Sequence, residues 1–213
     1  MKIFKNKILF AITCCFVSAL PASIYGQTGS LSAETSYTVL APTKEQKEIN
    51  DNIVDHLKNR HYLKVRLDDQ MSAKILNRFL DQLDPSHSYF YDNDIKEFES
   101  KYRFALDDAL KKGNLGPAFE IFNRYQQRII ERLTYMIDQL EQGLDGMDFD
   151  IEETLQIDRE DLPWPKSEAA MKELWRKRLK SNALGLKLAD KSLEEIQETL
   201  LKRYQNQLNR VEQ

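Results

Sequence analysis

The string Asp84-Pro85-Ser86-His87-Ser88-Tyr89 sets a carboxylate, serine hydroxyls and an imidazole side by side, the residue types of an orienting acid, a nucleophile and a base. Triad partners meet through the fold rather than by adjacency, so the string is not a triad as it stands. Its residue types favour a turn whose Asp and Ser side chains bond nearby backbone groups, with Pro85 ending the helix before it. His56 and His61 miss the i, i+4 spacing that a helical zinc pair needs, and are read as structural.

Residues 143–161 are acidic: Asp145, Asp148, Asp150, Glu152, Glu153, Asp158, Glu160 and Asp161 stand against one base, Arg159. They lack the order of an EF-hand loop. A solvated loop is expected, with some carboxylates pairing with Arg176, Lys177, Arg178 and Lys180 in exposed contacts of about 0–1 kcal/mol each. No serine is followed three residues later by lysine, and no Gly-rich phosphate loop, Gly-x-Ser-x-Gly elbow or Cys-x-x-Cys occurs. No residue is assigned as catalytic, metal-binding or cofactor-binding. The candidate partner-binding residues are Trp164, fixed between Pro163 and Pro165, and Trp175. Core packing is the ordinary use of both, and a binding hot spot is the alternative.

The elements that position these residues are helices. Gly (7) and Pro (6) are scarce among 213 residues, whereas Leu, Glu, Gln, Lys and Arg abound. Six helical segments are predicted. The first runs from about Lys44 to Arg60, with a Thr43/Gln46 capping box and a stripe of Ile49, Ile53 and Leu57. The second starts near Asp69 as its capping acid and stops at Asp84-Pro85. The third starts after Asp92, shows Ile95, Phe98, Tyr102, Leu106 and Ala109 on one face, and ends at Gly113. The fourth, from about Leu115 to Gln142, is long enough at about 42 Å to be a spine. Ser167 caps the fifth. A short link through Gly185 leads to the last, which opens with a Ser192/Glu195 capping box and reaches Gln213 without a terminating cap, as if the polypeptide continued. The stripes must pack on one another, because an isolated helix is marginal in water. The expected fold is all-α: an irregular multi-helix array around one long central helix.

Residues 1–26 read as a signal peptide. Lys2, Lys5 and Lys7 precede an apolar run from Ile8 to Leu20, followed by small residues that allow cleavage after Ala22 or Gly26. An uncleaved N-terminal anchor is the alternative. Residues 27–42 read as a flexible lead and 43–213 as the helical domain. Cleavage would remove Cys14 and Cys15, leaving no thiol, which suits an oxidising compartment. Of the 31 basic residues 28 would remain against all 34 acidic ones, a net of −6. That balance disfavours nucleic acid as a partner.

Three stretches carry a family likeness: Leu80 through Phe90, then Asp158-Arg159-Glu160-Asp161-Leu162-Pro163-Trp164-Pro165, then Leu174-Trp175-Arg176 with the later Leu200-Leu201-Lys202-Arg203-Tyr204. In order and spacing they resemble the N-terminal domain of tail-specific (carboxy-terminal processing) proteases, peptidase family S41, from about Ala41 to the end. The resemblance implies a periplasmic serine endopeptidase that recognises apolar substrate C-termini, with a PDZ domain and a Ser-Lys catalytic domain downstream of the helices. In such a protein the helices help enclose substrate, offer a surface to an adaptor protein, and hold no catalytic residue. This chain is expected to lack the PDZ and catalytic regions. It is therefore expected to act as that N-terminal region and not to cleave peptides alone, with protein substrates, an adaptor and the PDZ/protease region as partners. No cofactor and no stable membrane insertion are implied. A stand-alone periplasmic adaptor or scaffold is the alternative reading.

Overall fold

In the computed structural model, which describes residues 37–60, 62 and 66–212, the chain forms α1 (Lys44–Asp55), α2 (Asp69–Leu83), α3 (Asp92–Tyr102), α4 (Leu106–Lys111), α5 (Gly116–Glu141), α6 (Glu168–Lys187) and α7 (Leu193–Glu212). A π-helical turn, His56–Arg60, follows α1. No strand occurs among the described residues, and the fold is all-α. The signal peptide, residues 27–36 of the lead and His61 lie outside the described residues. No helix among those described is long and apolar enough to cross a membrane.

Local chemistry sets the helix starts. Thr43 Oγ1 accepts the Gln46 N–H at 3.2 Å, while Gln46 Oε1 accepts the Thr43 N–H at 2.9 Å. Ser192 and Glu195 make the same reciprocal pair, and Ser167 Oγ accepts the Ala170 N–H. Each exchange satisfies N–H groups that the first turn leaves without a helical partner. At α2 the cap is Asp68, not Asp69: its carboxylate accepts the Met71 N–H at 3.0 Å.

Three further expectations change. The segment after Asp92 is two helices, because buried Ser72 of α2 interrupts it. Ser72 Oγ donates to the Tyr102 carbonyl at 3.3 Å and accepts the Leu106 N–H at 2.9 Å, so the hydroxyl occupies the backbone groups on both sides of the break. Gly185 is no link. It lies inside α6, which runs on to Lys187 because Ala183 and Leu186 on either side pack into the core. The stripe on α1 is also misread, since Ile49 and Ile53 are 56% and 54% exposed. The buried face carries Asn50 and Val54, and Asn50 Nδ2 donates to the Leu110 carbonyl at 2.9 Å, tying α1 to α4.

Helix α5 is the spine, with 26 residues spanning about 39 Å. Its first half closes one core with α2 and α3, built on Leu76, Leu80, Phe90, Ile95, Phe98 and Ile121. Its second half closes another with α6 and α7, including Met136, Leu140, Met171, Trp175, Ile196 and Leu200. Gln126, in the first half of α5, donates to the Val211 carbonyl at the end of α7, and Gln197, near the start of α7, donates to the Leu140 carbonyl at the end of α5, so α5 and α7 run antiparallel.

Candidate functional site: the Asp84 clasp and the adjoining groove

Asp84 caps the C-terminus of α2, its own N–H still bonded to the Leu80 carbonyl at 2.9 Å. Pro85 cannot continue the helix, and the chain turns back over the Asp84 side chain. That carboxylate is 0% exposed. Oδ1 accepts the Ser88 N–H at 2.8 Å; Oδ2 accepts the Tyr89 and Phe90 N–H groups at 3.0 and 3.1 Å and the Trp164 indole N–H at 3.2 Å. Four donors on two oxygens fill the accepting capacity of a carboxylate. A buried charge is tolerable only when solvated by the protein in this way.

His87 sits at φ +44°, a left-handed conformation that costs about 1–3 kcal/mol outside glycine. The strain positions its ring. His87 Nδ1 bonds the Leu162 carbonyl, which requires the proton on Nδ1. The imidazole stacks on Trp164 with centroids 3.7 Å apart. Ser88 offers its carbonyl to the Trp175 indole N–H at 2.9 Å, and its Oγ to Ser86 Oγ and to Arg178 Nη1 at 2.7 and 3.1 Å. The Pro165 carbonyl accepts the Asp92 N–H at 3.0 Å, so the same loop also fixes the start of α3. The Asp, His and Ser side chains are therefore near in space but not in series. Neither serine hydroxyl bonds the imidazole, and the carboxylate faces backbone amides. No proton relay to a nucleophile exists here.

All of these residues fall within the stretch, residues 53–213, that matches the family model of the tail specific protease N-terminal domain. The chain belongs to that family. A curated tail-specific protease of Haemophilus influenzae (strain ATCC 51907 / DSM 11121 / KW20 / Rd) is 35% identical over 215 residues, covering 100% of this chain and 30% of that protein. The chain thus spans 30% of the length of this curated relative.

In this tail-specific protease N-terminal domain, an open groove of about 770 Å³ adjoins the clasp. Tyr37, Tyr91, Tyr135 and Trp175 give it aromatic walls, and Arg128 and Glu131 a charged rim. Asp94 sets its geometry. It stands at the third position of α3, accepts the Tyr91 N–H at 3.0 Å, and receives Arg128 Nε and Nη2 of α5 at 2.8 and 2.9 Å and Arg124 Nη1 at 2.5 Å. Burial pushes the Asp94 carboxyl up, but the bonds from Arg128, Tyr91 and Arg124 outweigh it and hold the group below the usual carboxylate range. The Arg128 guanidinium lies over the Tyr91 ring, 4.5 Å from its centre. Burial, then the Glu131 charge, push the Tyr91 phenol above its ordinary value, so it stays a neutral hydroxyl. Aromatic walls with a few fixed polar groups are features of binding.

The two tryptophans differ in placement. Trp175 is 2% exposed and floors the groove from within the α5–α6–α7 core; Trp164 is half-buried against the α2–α3 core, with its indole committed to Asp84 and His87. The acidic loop is tied down where expected at one point: Glu153 pairs with Arg176 and, at 2.6 Å, with Lys180. Lys180 is buried, so this contact is less exposed than the sequence suggested. Arg178 pairs with no acid, and Lys177 reaches Glu173 and the Thr154 carbonyl instead. The Asp94–Arg124–Arg128 cluster escaped the sequence reading. Its only local signal is the acid three residues after Tyr91, since the arginines lie 30 and 34 residues further on.

Proposed function

We propose that this chain acts as the N-terminal helical region of a periplasmic, carboxy-terminal processing serine endopeptidase, delivered there by the signal peptide at residues 1–26. Its groove helps enclose a protein substrate, its surface receives an adaptor, and the PDZ and catalytic parts belong to polypeptide outside these residues. Trp164 and Trp175 serve this role by shaping the groove wall and the clasp behind it.

The observation that carries the proposal is the complete use of Asp84. The Asp84 carboxylate and the Ser88 carbonyl hold α2, the 158–165 loop and α6 together, while the Ser86 and Ser88 hydroxyls bond each other and Arg178. What remains open is an aromatic groove suited to polypeptide and unsuited to bond cleavage. The test replaces the matching N-terminal 30% of the Haemophilus relative with this chain and measures degradation of a protein ending in an apolar tail. A folded chimera that retains degradation supports the proposal. A folded chimera that has lost it, while the relative itself degrades the substrate, counts against it and favours a stand-alone adaptor.

A further inference from the structure

Among the described residues seven arginines are partly buried, and four of them, Arg103, Arg124, Arg128 and Arg176, each pair with a carboxylate. Arg132, Arg159 and Arg178 have no carboxylate of the described residues within 4.0 Å. These three are not scattered. They come from α5, the 158–165 loop and α6: Arg132 and Arg178 meet at the Ser86–Tyr89 turn, and the Arg159 charge is close enough to act on Arg178. The Arg132 guanidinium lies 4.9 Å from the centre of the Tyr89 ring. Arg178 Nη1 reaches Ser88 Oγ at 3.1 Å. Arg159 heads the loop whose Leu162 carbonyl holds His87, its own carbonyl accepting the Leu162 N–H at 3.0 Å.

The cluster is unbalanced in charge and in hydrogen bonding. The Nε groups of Arg132 and Arg159 are buried with no acceptor. Burial, then the like charge of Arg132, lower the Arg178 pKa, with Arg159 adding the same sign. Asp84 is near enough to oppose this, but its oxygens are taken by four other donors. Partly desolvated cations without a counter-charge are costly, and a protein that pairs its other partly buried arginines leaves this set for an anion from outside. Planar guanidinium forks suit carboxylates. On a chain whose net charge is negative, such a basic spot also marks where an acidic segment would be steered.

We propose that Arg132, Arg159 and Arg178 form a docking site for the side-chain carboxylates of an acidic segment on a separate protein partner. The inference rests on charge balance and does not depend on the proteolytic reading.

The test is calorimetric titration of the purified protein with a glutamate homopeptide, acetylated and amidated so that its carboxylates are all side chains. The matching glutamine peptide and inorganic phosphate are run in parallel at about 0.15 M ionic strength. The expected result is saturable binding of the glutamate peptide with a Kd below about 1 mM, weakened about tenfold by Arg159→Gln and by Arg178→Gln. Both variants should melt within about 5 °C of the parent, because each removes one of three like charges. Absence of glutamate-peptide binding, equal binding of the glutamine peptide, tighter binding of phosphate, or undiminished binding by both variants would overturn the proposal. Melting far below the parent in both variants would also overturn it, by showing that the arginines hold the fold.

Discussion

Trp164 and Asp84, 80 residues apart in sequence, meet at the centre of the clasp: the indole N–H donates to Oδ2 at 3.2 Å, beside two backbone amides on the same oxygen. The contact couples the end of α2 to the loop that enters α6. It explains why the Pro-Trp-Pro string and the Asp-Pro-Ser-His-Ser string belong to one feature of the fold.

Asp84→Ala should therefore strand buried donors and cost about 3 kcal/mol or more, whereas Trp164→Phe, which removes one hydrogen bond, should cost about 1 kcal/mol. The effects should not add, because the indole loses its acceptor in the Asp84→Ala background. Urea unfolding of the parent, both single variants and the double variant measures this. Strictly additive costs would show that the two residues act separately.

Acid should loosen the 143–161 loop before it unfolds the helices. Hydrogen bonds from Arg176 and Lys180 hold the Glu153 carboxyl down to about 2, from an ordinary 4.5. A lowered folded value means that the stabilising effect is complete above 4.5 and is lost as pH falls from there towards about 2. Glu153→Gln should flatten that part of the stability–pH curve by lowering stability at neutral pH, while leaving the strongly acid end little changed. An unaltered acid limb would remove Glu153 from the explanation.

Ser72→Ala should expose the break between α3 and α4. Loss of the hydroxyl leaves the buried Leu106 N–H without its acceptor, at a cost of about 1–3 kcal/mol. Hydrogen exchange at the Leu106 amide should speed up more than at α5 amides. A uniform acceleration through the domain would indicate general destabilisation instead.

Gly185→Ala should stabilise the protein by about 0.5–1 kcal/mol, because glycine is a poor residue inside a helix and an added Cβ meets nothing within 4 Å. Thermal unfolding checks this. A lowered melting temperature would restore the link that the sequence suggested.

Much of the fold is legible in the sequence because its signals are local. The Thr43, Ser167 and Ser192 caps and the α5 stripe lie within a few residues of what they control. The misreadings share a physical cause: tertiary contacts overrode local pattern. Ser72 breaks a helix thirty residues away, Gly185 is carried through by flanking core contacts, and Ile49 and Ile53 face solvent while Asn50 is buried to bond Leu110. The clasp was half visible. The motifs were plain, but their union through one carboxylate was not, because hydrogen bonds spanning 80 residues leave no periodic trace. The arginine cluster carries no sequence signal at all: Arg132, Arg159 and Arg178 look like ordinary members of charged faces.

The role proposed for this helical domain is to support proteolysis without performing it. Hydrolysis of an apolar-tailed peptide by the purified chain, followed together with covalent labelling by a serine-directed inhibitor, tests that most directly. The expected result is neither cleavage nor a serine adduct from a protein whose circular dichroism is helical. Cleavage that co-purifies with the chain and is abolished by labelling of Ser86 or Ser88 would contradict it.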